Sequence, residues 1–186
     1  MTQKYVRSIG EAGQGPVIVM LSGGDTPSKA AAVLAKDFRV LSYAVDGKAA
    51  VADVASELAS VLGTLNVTEA AIVADAGAAA TAMAFAVTHP ALAQSVALLS
   101  PRESVGDVSN LKTPAMVLFG TADAARAPDA ARALSRSIPN CRLVYVYDAG
   151  GQIDDERPEA VAAALQDFAV RRERYLVNSK SNFLYP

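Results

Sequence analysis

Apolar runs of strand length alternate with longer segments of helical periodicity through most of this 186-residue chain. That alternation limits the fold more than any other feature. Runs are predicted as strands at Pro16–Leu21, Phe38–Tyr43, Ala70–Ala74, Ser95–Leu99, Ala115–Phe119 and Leu143–Tyr147. Each is short and apolar on both faces, and none is joined to the next by a hairpin turn signal. Strands of that kind, separated by helices, belong in a parallel sheet covered on both sides. A helix is predicted from Thr26 as cap, with Pro27 in its first position, to about Lys36. Val51–Leu65 carries Val51, Val54, Leu58, Val61 and Leu62 on one stripe. Gly77–His89 is apolar nearly all round and is expected to be buried. Pro128–Ile138 and Pro158 to about Tyr175 are the remaining helices.

The expected architecture is a three-layer α/β/α sandwich with a mostly parallel sheet of about six strands. Residues 1–176 form one domain, and 177–186 form an extended tail. Composition supports a globular chain: 52% of residues are hydrophobic and the formal net charge is -2. No basic excess points to nucleic acid or to an anionic membrane surface. The segment before Pro16 is polar, and no apolar run is long enough to span a membrane. A cytoplasmic location is the expectation. The single cysteine, Cys141, excludes an internal disulfide, and its place before an apolar strand reads as buried rather than reactive.

Several blocks, in order and at matching distances, resemble the α/β-hydrolase superfamily from Gly15 to about Ala169. Leu65–Ala76 resembles the strand that leads into the nucleophile elbow. Thr88-His89-Pro90 and Val96–Leu99 resemble the following helix end and strand. Thr113–Asp123 resembles the strand and turn that carry the acid, and Arg157–Val161 the start of the last helix. The resemblance implies a site at the carboxyl ends of the parallel strands, which is where ligands bind in open α/β sheets generally. Only about a dozen residues, Pro101 to Lys112, occupy the place where the family often inserts a lid, so the lid domain is expected to be absent and the pocket shallow.

Matched to the elbow motif G-x-S-x-G, this chain reads Ala74-Asp75-Ala76-Gly77-Ala78. Ala76 stands at the nucleophile position and has no nucleophilic atom. Asp123 stands at the acid position, and Gly151 where the family places its histidine. The chain's one histidine, His89, lies 13 residues beyond Ala76. That is roughly 20 Å along a helix, too far to serve as base. These degenerate triad positions imply no standard catalytic residues.

Asp75 is the alternative nucleophile, as in the dehalogenases of the superfamily, but an aspartyl ester also needs a base. Asp75 also reads as a polar residue or helix cap at the elbow. Ser22, Gly23, Gly24, Asp75, Gly77 and Gln152 form the expected ligand cleft, with the glycine N–H groups free to face a ligand or simply forming a tight turn. Asp154-Asp155-Glu156 reads as a feature of the helix dipole. No metal or other cofactor is expected. Phe183, Leu184 and Tyr185 are a candidate partner-binding segment, facing either a protein partner or a second copy. The expected function is therefore binding, as a scaffold or accessory subunit. The alternatives are an esterase- or dehalogenase-like enzyme centred on Asp75, and a small-ligand receptor that uses the former active-site cleft.

Overall fold

The computed structural model describes residues 4–102, 105–123, 128–172 and 184–185. The elements run in chain order β1 (Val6–Ala12), β2 (Val17–Ser22), α1 (Lys29–Leu34), β3 (Arg39–Val45), α2 (Val51–Thr64), β4 (Ala70–Ala74), α3 (Ala79–Thr88), β5 (Ala93–Leu99), β6 (Ala115–Gly120), α4 (Pro128–Ser137), β7 (Cys141–Val146), α5 (Ile153–Glu156), α6 (Pro158–Arg171) and β8 (Leu184–Tyr185). They build one eight-stranded sheet in the order β1-β3-β2-β4-β5-β6-β7-β8. Every neighbouring pair is parallel except β1 with β3.

The side-chain alternation of the strands splits the core into two layers. Val19 and Leu21 of β2, Ile72 of β4 and Val117 and Phe119 of β6 face α2, α3 and α4. Ile18 and Met20, Val73, and Met116 and Leu118 face α1, α5 and α6. Helix α2 buries Val54, Leu58, Val61 and Leu62, the stripe read from the sequence. Helix α3 buries six of its ten residues, among them Met83 and Phe85, as its apolar composition predicts.

The sheet has more strands than the sequence suggested, and the additions lie at its two edges. β1 is antiparallel, and only Val6 of it is buried. An edge strand with one wet face carries no apolar run to reveal it. It is held from outside: the Glu57 carboxylate of α2 accepts the N–H groups of Lys4, Tyr5 and Val6 at 2.7–3.2 Å. β8 pairs Leu184 with Tyr145 and Tyr185 with Val146 on the outer edge of β7. Of the candidate partner segment, Phe183 lies outside the described residues.

Helix boundaries shifted where tertiary contacts replaced local signals. α1 starts at Lys29, not after Thr26, and Ser28 makes no side-chain cap. The Lys29 N–H is satisfied instead by Asp155 Oδ1 at 2.8 Å. α6 ends at Arg171, short of Tyr175, where Arg172 turns to φ 48°. The segment after β5 is no lid: Val105, Val108 and Leu111 are buried against the core. No helix among the described residues is long and apolar enough to cross a membrane.

Candidate functional site

Strand order locates the site. β2 lies between β3 and β4, so the chain leaves β2 to one side and later returns to the other. Such a reversal opens a crevice beyond the carboxyl ends of the two central strands. Leu21 and Ala74 are register partners across β2 and β4. Ser22 and Asp75, the next residue on each strand, therefore meet at the crevice floor.

Asp75 is the most heavily bonded side chain there. Ser22 Oγ donates to Asp75 Oδ2 at 2.7 Å. The Gly23 N–H lies 3.1 Å from both carboxylate oxygens. The N–H groups of Gly77 and Ala78 donate to Oδ1 at 2.9 and 3.0 Å. Gly24 N–H in turn donates to Ser22 Oγ at 2.9 Å. The N–H groups of Gly23 and Gly24, for which the sequence leaves open a ligand or a tight turn, thus donate to side chains of this chain. The two loops come this close because neither has a side chain in between. A Cβ on Gly23 would lie 3.1 Å from the Gly77 Cα, and the reverse distance is the same.

Ala76 lines the crevice. Among the described residues, those with positive φ outside glycine are Asn66, Ser100, Asn140, Asp148 and Arg172, and Ala76 is not one of them. The elbow therefore turns from β4 into α3 without the left-handed strain that a nucleophile elbow carries.

The opposite wall comes from the ends of β6 and β7. A Cβ on Gly120 would lie 2.0 Å from the Ala149 carbonyl oxygen, so β6 and the loop after β7 touch backbone to backbone. Ala122 N–H donates to that carbonyl at 2.9 Å, and Asp148 N–H to Thr121 Oγ1 at 2.9 Å. These contacts bring Asp123 beside Gly151: a Cβ on Gly151 would lie 3.6 Å from Asp123 Oδ2. The same point is 2.7 Å from a guanidinium nitrogen of Arg102. Arg102 therefore occupies the space into which a side chain at 151 would grow. Arg102 escaped the sequence reading, although its signal was available: it follows a parallel strand, β5, by three residues at the carboxyl end where sites form.

The acidic run has individual tasks. Glu156 accepts the N–H groups of Gly150 and Gln152 at 2.6 and 3.2 Å and so braces the loop that carries Gly151. Asp155 caps α1. Asp154 lines the crevice, where burial pushes its carboxyl above the ordinary value, with the charges of Asp155 and Asp75 adding to the effect. His89 is at the far end of α3, stacked on Phe85 with ring centroids 5.1 Å apart. Ser22, Gly24, Asp75, Gly77 and Gln152 all line one cavity of about 440 Å³, together with Arg102 and Asp154. Among the described residues, no three His, Cys, Asp or Glu side chains converge as a metal site.

The sequence matches no protein-family model and no curated protein. Solved structures of the same architecture are numerous. An α/β hydrolase enzyme from the metagenome of lagoon sediments at Mar Chica, Morocco, superposes with a TM-score of 0.76 at 16% identity, covering 92% of this chain and 98% of its own. A thermophilic esterase from Thermogutta terrifontis gives 0.74 at 16% identity, with 89% and 93% covered. The enol-lactonase from Burkholderia xenovorans LB400 gives 0.71 at 19% identity, with 89% and 96% covered. This chain has the α/β-hydrolase fold.

Proposed function

We propose that this protein is a non-hydrolytic member of that fold and works by binding, as an accessory subunit or as the receptor of a small ligand in the crevice. One observation carries the reading. Where a nucleophile and its base should meet, the crevice presents the methyl group of Ala76 and the guanidinium of Arg102 beside Gly151. An alkyl group cannot attack, and a guanidinium does not take up a proton near neutral pH. Asp123 is left without the imidazole it would orient.

The test is turnover by the purified protein on p-nitrophenyl acetate and on simple lactones. The rate should equal that of the buffer, and Asp123→Asn should leave it there. Steady turnover that disappears in Asp123→Asn sinks the reading. For the accessory-subunit form, capture of a protein partner should depend on residues 178–186, whereas a receptor should capture small ligands without them.

A second reading, hydrolysis centred on Asp75, is favoured by the likeness to an esterase and a lactonase. It expects turnover that falls to background in Asp75→Ala while the fold persists.

A further inference from the structure

Four donors from two separate loops converge on a single point at the crevice floor. They are the Ser22 hydroxyl and the N–H groups of Gly23, Gly77 and Ala78, all 2.7–3.1 Å from the Asp75 carboxylate. Gly24 N–H, donating to Ser22 Oγ, orients that hydroxyl toward Asp75. Preorganised backbone donors aimed at one position form a nest for negative charge. The occupant here is the chain's own side chain, tethered one residue before Ala76. A tethered group acts at an effective concentration of mM or higher for short links, on the order of any free metabolite or above. It also brings a full charge, which makes each of these bonds stronger than its neutral counterpart.

Within the binding-protein reading above, we propose that Asp75 is a built-in anion. It fills an oxyanion-binding nest, closes the crevice to carboxylate and phosphate ligands, and leaves it to neutral or cationic ones. The wall around the nest agrees. Among the described residues, Asp75, Asp154 and Asp155 line the cavity against one guanidinium, that of Arg102. A second anion entering the crevice would meet an occupied nest and a surplus of negative charge.

The test uses the whole chain, labelled with ¹⁵N, as wild type, Asp75→Ala, Asp75→Gly and Asp75→Asn. Each is titrated with sodium acetate and with sodium phosphate against sodium chloride at equal ionic strength. In Asp75→Ala and Asp75→Gly no side-chain acceptor remains and the nest is vacated. The amide signals of Gly23, Gly77 and Ala78 should then move saturably with acetate or phosphate, with an affinity about tenfold or more above that of wild type. Asp75→Asn keeps an acceptor in place, so its three amides should stay still. Folded Asp75→Ala and Asp75→Gly proteins whose three amides ignore both anions overturn the proposal. So does a wild type whose amides move as readily as theirs.

Should neither variant fold, the wild type decides by itself. Its Gly23, Gly77 and Ala78 amide signals should stay still in acetate and phosphate up to an ionic strength of about 100 mM, matched with chloride, and saturable movement of those signals overturns the proposal. Failure of the broader reading looks different. It shows as ester turnover by wild type, and it leaves anion capture by Asp75→Ala untouched.

Discussion

Gly23 and Gly77 face each other across the crevice floor so closely that a methyl group on either would lie 3.1 Å from the Cα of the other. That distance is tighter than ordinary packing, and both neighbours are backbone. Gly23→Ala should push the two loops apart, stretch the bonds to Asp75 and cost about 1 kcal/mol in urea denaturation. Gly120→Ala should cost more, about 3 kcal/mol, because its methyl would lie 2.0 Å from the Ala149 carbonyl oxygen. Gly24→Ala meets only Ser22 Oγ at 3.5 Å and should stay within about 0.5 kcal/mol of wild type. A Gly24→Ala loss as large as that of Gly120→Ala would contradict this ranking.

The half-buried Asp154 makes stability depend on pH in a stated direction. Burial raises its value in the folded protein above that of the unfolded chain. Between those two values the folded state binds more protons, so stability falls as pH rises through that interval and the penalty is constant above it. Asp154→Asn removes the charge. Its melting temperature should exceed that of wild type at pH 7, and the gain should shrink as pH falls through the carboxylate range. A gain that is independent of pH would show that charge is not the cause.

Cys141 begins β7 partly buried, and burial pushes its thiol up to about 11. At pH 8 the thiolate fraction in the folded protein is therefore about one in a thousand. Alkylation by iodoacetamide should be slower than in urea-unfolded protein by on the order of a hundredfold. Equal rates in the two states would refute the shift. The contribution to stability runs the same way as for Asp154: it holds below the ordinary thiol value and declines as pH rises from there toward 11.

Restoring the absent groups should not by itself restore chemistry. In Ala76→Ser with Gly151→His, the new imidazole competes with the Arg102 guanidinium for one space, and Asp75 still fills the nest that would stabilise an oxyanion. That double variant should turn over p-nitrophenyl acetate at close to background. Adding Asp75→Ala and Arg102→Ala should raise the rate by about 10²–10³, the worth of an oxyanion donor set. A fast double variant would show that Asp75 and Arg102 obstruct nothing.

The central strands and the stripe on α2 were legible because burial on both faces leaves a continuous apolar run and burial on one face leaves a period near 3.6. The edges were not: β1 buries only Val6, and β8 is described over just two residues. The start of α1 misled for a related reason. Its first N–H is satisfied by Asp155, 126 positions away, and no local pattern records such a partner.

At the crevice the division is as clear. Sequence alone determined that Ala76 and Gly151 carry no reactive atom and that His89 is far down α3, since residue identity and helical rise are local quantities. Only the tertiary structure decided where Asp75 and Arg102 go. Ser22 and Gly23 are 53 and 52 positions from Asp75. They reach it because β2 and β4 are neighbours in the sheet, and strand order is set by how the whole core packs. Hydrogen bonds between loops at strand ends inherit that order, so periodicity along the chain could not foretell that the nest at the elbow is filled by the chain itself.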